Sequence, residues 1–304
     1  MDTRLKLISN SSLCSLHTCP RKYQLTKVYP AAIRDKTVHT AFGSAFGEGI
    51  QALLSGATIE DAVLRAVMQW DIDIEEEEPK SKKSLWTAIS ALQSFAIIKH
   101  TTVLEEYEVA KFIDGRLACE LSFCITMPEG FYYRGYVDVV LKHKITGSYL
   151  VVDVKTSGAN YSAPGKYQNS PQAIGYSIVL DFIEPNLSQY DVMYYEYLTS
   201  IKKYEAHTFV VGYLQRAMWL RNLQLDCEIM KLYNQYPDWP MHGESCMSYS
   251  RPCQFIDVCQ MSTAALTGGQ EIIEDGLVWE ASKGISYDIV VSFDELIAGQ
   301  LDRL

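Results

Sequence analysis

Hydrophobic and polar positions along this chain change period twice. In the first third, apolar residues recur at helical spacing. Thr58 followed by Asp61 predicts a cap ahead of AVLRAVMQW, and Leu85, Ile89, Leu92 and Ala96 line one side of a further helix. The period then shortens. LACELSFCITM (117–127), FYYRGYVDVVL (131–141) and YLVVDVKT (149–156) are rich in β-branched and aromatic residues and are parted by short turn-like segments. A helix is predicted over 170–183, with Ser170 as its cap and Pro171 at the first helical position. Strands return at 190–198 and 204–212, and the helix after them carries Leu214, Met218, Leu225, Ile229 and Leu232 on one stripe. The order predicts a mixed α/β core with helical additions. Residues 263–304 carry helix and strand signals without readable chemistry and read as a packing appendage.

Two aspartates interrupt these strands, Asp138 in GYVDVV and Asp153 in VVDVKT. The turn KITG (144–147) is centred between Ile145 and Thr146, so a symmetric hairpin sets Asp138 directly opposite Asp153, with Lys155 on the same face. Like charges opposed across strands repel, and crowded carboxylates resist joint ionisation. A divalent cation removes the conflict, and the Val154 carbonyl offers a further oxygen. Lys155 can stabilise developing negative charge or orient a water. A lone D-x-K would read as a salt bridge at a sheet end; the second aspartate at hairpin register favours the cation site.

Composition adds bounds. With 304 residues, 48% of them hydrophobic, the chain can bury a substantial core, and it contains no apolar run of membrane-spanning length. MDTRLKLISNSSL lacks the apolar stretch of a secretion signal, so the expectation is a cytoplasmic protein with no membrane partner. A net charge of −10 argues against a broad nucleic-acid surface but leaves a locally basic groove open. Arg21, Lys22, Lys166, Lys202 and Lys203 are candidate phosphate contacts, each weighed against a plain surface charge. Glu75 to Glu78 followed by Lys80, Lys82 and Lys83 reads as a solvated junction between helices. The histidines show no metal-ligand spacing, and most of the 20 tyrosines read as strand packing.

GYVDVV followed by VVDVKT resembles the PD-(D/E)xK nuclease superfamily in its RecB-like branch. Gln172 and Tyr176 in QAIGY match that branch's Q-x-x-x-Y motif, and SSLCSLHTCPRKY resembles its opening helix. The resemblance spans about 9 to 260 and implies a restriction-endonuclease-like mixed β-sheet core flanked by helices. It implies a helical N-terminal region (1–110), a nuclease core (111–215), a helix and cysteine region (216–262) and an appendage (263–304), all in one compact unit. The implied activity is a metal-dependent DNA exonuclease of phage or recombination-type processing. Asp138 and Asp153 would bind Mg²⁺ or Mn²⁺, Lys155 would act in hydrolysis, and Gln172 and Tyr176 would orient the site and contact DNA. Glu120 reads either as an auxiliary acidic residue or as a strand-edge charge. The branch carries a histidine in G-x-x-x-H; here Gly47 takes that position in AFGSAFGEGIQALLSG, and Glu48 is the nearest replacement ligand. The expected partner is DNA with single-stranded character or free ends, with replication, recombination or helicase machinery alongside. The alternative is a non-catalytic DNA- or partner-binding module on the same fold.

Eight cysteines raise a second question. Cys246, Cys253 and Cys259 cluster in ESCMSYSRPCQFIDVC, and Cys19 lies in TCPRKY. RecB-like nucleases with an iron–sulfur cluster, phage-encoded and CRISPR-adaptation types among them, show the same split of one cysteine before the core and three after. The resemblance implies a [4Fe–4S] site on these four; Zn²⁺ is the alternative, because four thiolates suit it equally. The final C-x5-C fits, whereas the x6 before it departs from the usual x2, which would need a cysteine at Ser250.

Overall fold

The two periodicities become two kinds of element. The computed structural model describes residues 1–29, 37–70, 81–98, 103–112, 114–184, 189–248 and 251–301. Helices α1 (Thr3–Lys6), α2 (Asn10–Thr18), α3 (Pro20–Val28), α4 (Val38–Leu54), α5 (Ile59–Gln69) and α6 (Leu85–Ile98) come first, with a two-residue strand β1 (Leu7–Ile8) among them. Next are β2 (Tyr107–Val109), β3 (Cys119–Met127), β4 (Phe131–His143), β5 (Tyr149–Ser157), α7 (Pro171–Val179), β6 (Gln189–Leu198), β7 (Lys203–Gly212) and α8 (Tyr213–Tyr233). Short strands β8 (Met247–Ser248) and β9 (Arg251–Pro252), helices α9 (Thr263–Thr267) and α10 (Gly276–Ala281), strand β10 (Ile289–Ser292) and helix α11 (Phe293–Leu301) complete the chain.

Contacts group these elements into two compact units. One comprises Asp35–Leu121 and Tyr136–Gln215. Its strands follow the path β4-β5-β6-β7, with β2 antiparallel on β4. The β4–β5 and β6–β7 pairs are antiparallel, while β5 and β6 run parallel and are joined by the crossover helix α7. Strand alternation sends Leu150 and Val152 to one face, where they meet α4, α5 and α6 together with Val139, Met193 and Tyr195. The neighbouring positions, Asp153 and Tyr194 among them, face the side on which α7 packs. α4 starts at a reciprocal capping box between Thr37 and Thr40 and buries Val38, Phe42, Phe46 and Ile50 at helical spacing. It crosses α6 where only hydrogen fits: a β carbon at Gly49 would lie 2.4 Å from Leu92 Cδ1.

The other unit comprises Met1–Arg34, Ser122–Gly135 and Arg216–Leu304. Here β1 pairs parallel with β4, and β10 pairs parallel with β3 from Ile289 opposite Phe123 to Ser292 opposite Thr126. Residues after 263 therefore supply a sheet strand as well as packing. Ser122 donates from its backbone N (2.9 Å) and Oγ (2.7 Å) to Asp288 Oδ2. Glu280 is fully buried, pairs with Arg134 and accepts from Tyr287 Oη at 2.6 Å.

Three expectations change. The stripe Leu214, Met218, Leu225, Ile229 and Leu232 of α8 is exposed; the buried face carries Arg216, Trp219, Leu220, Leu223, Cys227 and Met230. Both sets recur at helical spacing, so period alone could not choose between them. Arg21 is no surface phosphate contact: it is 1% exposed and donates to Gln24 (2.6 Å), Asp238 (3.1 Å) and the carbonyls of Cys259 (3.2 Å) and Met261. The charge run from Glu75 to Lys80 lies outside the described residues, but Lys83, at its end, is buried, with its ammonium over the Phe42 ring. Among the described residues no helix is long and apolar enough to cross a membrane.

Candidate active site

The β4–β5 ladder pairs Lys142 with Tyr149, Leu141 with Leu150, Val140 with Val151 and Val139 with Val152. One further step in that register sets Asp138 against Asp153, as the turn centre predicts. Backbone pairing ends there, and the Val154 N–H donates to Asp138 Oδ2 at 3.0 Å. A carboxylate has replaced the ladder carbonyl. The Val154 carbonyl projects to the same side of the strand as its N–H, toward β4.

Asp153 is fully buried. Lys155 Nζ lies 2.6 Å from its Oδ2, an ion pair not aligned as a hydrogen bond, and Oδ1 meets no donor among the described residues. Burial and the Asp153 charge push the Asp138 carboxyl up to about 7, against the Val154 N–H and Lys155, which favour its ionised form. Burial raises Asp153 too, with Lys155 opposing. Lys155 also donates to Gln172 Oε1 (3.1 Å), and Gln172 Nε2 donates to Tyr176 Oη (2.5 Å), one turn along α7. The Q-x-x-x-Y pair thus holds the lysine in place.

These residues border a cleft of about 380 Å³ lined by Gly43, Gly47, Glu48 and Gln51 of α4 and by Glu120, Asp138, Val154, Lys155 and Thr156. Glu120 sits in β3 with φ of 51°, a left-handed backbone uncommon outside glycine. That kink aims its carboxylate at Gln51, whose Nε2 donates to Oε1 at 3.0 Å, and its charge adds to the rise at Asp138. Glu48 lines the cleft but is engaged by Arg65 at 3.3 Å. Gly47 opens on the cleft, and a β carbon there would meet nothing within 4 Å.

The chemistry of this donor set fits a hard cation. Asp153 Oδ1 is an orphaned buried oxygen beside a second carboxylate that cannot ionise cheaply alone. Two carboxylates and the Val154 carbonyl could hold the ion. Among the described residues no group of three or more His, Cys, Asp or Glu side chains is gathered closely enough to do so.

Sequence reasoning missed Glu196, which is 2% exposed and stands beside Lys155 in the β5–β6 register. It accepts from Ser162, pairs with Lys166 at 3.5 Å, and is linked through Ser162 to His207 Nε2 at 2.6 Å. Burial pushes its carboxyl up, but Ser162, Tyr167 and Lys166 outweigh that and hold it below the usual range. The cluster anchors the segment between β5 and α7, and so the placement of Gln172. A glutamate in a tyrosine-rich strand was the available signal.

The other unit holds Cys19, Cys246, Cys253 and Cys259. All eight cysteines are free thiols. The Cys253 N–H donates to the Cys246 carbonyl at 2.7 Å, and the His242 N–H approaches Cys19 Sγ at 3.5 Å. Burial raises the Cys259 thiol, Arg21 opposes this, and Cys19, Cys253 and Cys246 add to the rise. The four are therefore electrostatic neighbours without standing at ligand distance.

This combination of a mixed sheet flanked by helices and an Asp138, Asp153, Lys155 edge has a counterpart among known families. The sequence matches the profile of the PD-(D/E)XK nuclease superfamily over residues 7–260, and the chain belongs to that superfamily. Its members are nucleases, phosphodiester-cleaving enzymes that generally use divalent metals such as Mg²⁺. No curated protein matches the sequence. Among solved structures, a provisionally named exonuclease from Eubacterium rectale is similar at a TM-score of 0.47 and 10% identity, covering 93% of this chain and 95% of that one. The protein SSO0001 gives 0.29 and 12%, over 62% and 74%. At these values neither bears on function.

Proposed function

We propose that this nuclease is an Mg²⁺- or Mn²⁺-dependent DNA exonuclease, acting on ends or single strands in phage or recombination-type processing. The carrying observation is Asp153: fully buried, with a donor-free oxygen, opposite Asp138 and paired to Lys155. Asp138, Asp153 and the Val154 carbonyl would hold the cation, with Glu120 at the edge of the site. When bound, it supplies Lewis acidity and charge neutralisation at the phosphate. Lys155, steadied by Gln172 and Tyr176, presents its ammonium to the phosphate oxygen that gains charge as water attacks. The phosphorus–oxygen bond to the leaving nucleotide breaks, the water oxygen stays on the new phosphate, and the proton the water gives up to solvent is balanced by one that the leaving oxygen takes from solvent. The cleft of about 380 Å³ beside these residues is large enough to take a nucleotide-sized group.

Linear end-labelled DNA is expected to be shortened with Mg²⁺ or Mn²⁺ while closed circles stay intact; cleavage of circles would reject the exonuclease reading. Tight binding without cleavage in either metal would favour the non-catalytic module. Cation binding itself is read from thermal unfolding. Mn²⁺ is expected to raise the midpoint far more at pH 8 than at pH 5, because Asp138, raised to about 7, must first lose its proton. Gly47→His, at a position where a β carbon meets nothing within 4 Å, is expected to tighten that binding roughly tenfold. Equal Mn²⁺ shifts at both pH values would remove Asp138 from the ligand set.

We also propose that Cys19, Cys246, Cys253 and Cys259 hold a [4Fe–4S] cluster, with Zn²⁺ as the alternative, on the strength of their split along the sequence, one before the core and three after it, and of their falling in one unit. Anaerobically purified protein should be brown and contain iron, and Cys253→Ala should lose the colour. Colourless protein with one bound zinc would select the alternative.

A further inference from the structure

With a net charge of −10, the chain holds a polyanion only where local cations are left uncommitted. Lys155 is engaged by Asp153 and Gln172. Lys83 differs. It is 7% exposed, and its ammonium has no carboxylate partner among the described residues. Its neighbours are Thr156 Oγ1 at 3.4 Å and the face of Phe42, with 5.6 Å to the ring centre. The next residue, Ser84, accepts from the Thr87 N–H at 3.2 Å at the start of α6, which fixes where the lysine stands.

A buried ammonium with so little compensation is costly, and burial lowers its proton affinity. The cost is explained if an anion completes the site. Thr156, which Lys83 touches, lines the same cleft as Asp138 and Lys155. Gly43 and Gly47 face that cleft with nothing within 4 Å of a β carbon at either, so a sugar–phosphate strand can approach the bare helix.

We propose that Lys83 and Thr156 form a backbone-phosphate subsite that positions the substrate strand beside the Asp138–Asp153 pair. The proposal rests on the nuclease reading and names the group that holds the strand. A phosphate oxygen at Thr156 accepts from its hydroxyl and from the Lys83 ammonium, and supplies the negative charge that no carboxylate among the described residues gives it.

The test uses the full chain with fluorescent single-stranded DNA in Ca²⁺, titrated with NaCl. Lys83→Met keeps an unbranched side chain of similar length and removes the charge. It is expected to weaken binding about tenfold and to reduce the salt slope by about 0.7, while leaving the thermal midpoint equal to or above wild type. Lys83→Arg should restore most of the affinity. Methylphosphonate placed at successive linkages should weaken wild-type binding at one position and leave Lys83→Met unaffected there. Unchanged affinity and slope in Lys83→Met, with wild type binding normally, would overturn the subsite alone. So would a lowered midpoint that Lys83→Arg repairs without restoring affinity, since that marks a structural role. Failure of wild type to bind DNA would overturn the nuclease reading along with it.

Discussion

Asp153→Asn is expected to lower hydrolysis roughly 10³-fold or more while raising the unfolding midpoint of the cation-free protein. The two effects have one cause. The carboxylate is fully buried, one of its oxygens has no donor, and its charge helps to raise Asp138. An amide keeps the shape and removes the charge; Lys155, which is 33% exposed and still bonded to Gln172, keeps water and an acceptor. The pH dependence sharpens the expectation. Asp138 ionises with an ordinary value near 4 when unfolded and about 7 when folded. The folded state therefore binds the extra proton, and stability falls as pH rises from about 4 through about 7. In Asp153→Asn the fall becomes shallower, because the neighbouring charge is gone. Thermal unfolding in EDTA at pH 5 and pH 8, paired with a cleavage assay in Mg²⁺, reads both. A variant that cleaves at the wild-type rate would remove Asp153 from the site.

Glu280→Ala is expected to cost about 3–5 kcal/mol of stability in the unit that contains it, read as a shift in chemical denaturation. Glu280 has no exposed surface; it pairs with Arg134 and accepts from Tyr287 at 2.6 Å. Truncation leaves the Arg134 charge and the Tyr287 hydroxyl facing a cavity. The double variant Arg134→Met with Glu280→Leu should recover most of the loss, since an apolar pair of similar volume needs no counterion. A loss below about 1 kcal/mol in the single variant would show that water already reaches the pair.

The pairing of Asp138 with Asp153 was legible because a hairpin's register follows from its turn centre, and KITG has a clear one. Superfamily and core architecture were legible because the strand, strand, helix order carries short motifs at fixed offsets. The burial of Lys83 was not, because it depends on α6 and Phe42 meeting across chain segments that local charge patterning does not connect. Nor was the backbone of Glu120, since no residue preference announces a glutamate at φ of 51°. Gln172 was expected to contact DNA and orient the site; its observed bonds reach Lys155 and Tyr176, a detail that needs the crossover geometry of α7. In α8 two faces qualified as apolar, and only the tertiary neighbours chose.

The parallel pairing of β10 with β3 has a consequence for synthesis. Ser122 and Asp288, which bond beside that pair, stand 166 residues apart. Every residue of the unit ending at Gln215 has left the ribosome's decoding centre long before Ile289–Ser292 are made. During that interval the outer edge of β3 has no native partner, so its unpaired amides and carbonyls stand open to wrong strands. The nascent chain meets this risk at β3 with every copy translated, long before the protein encounters a nucleic acid.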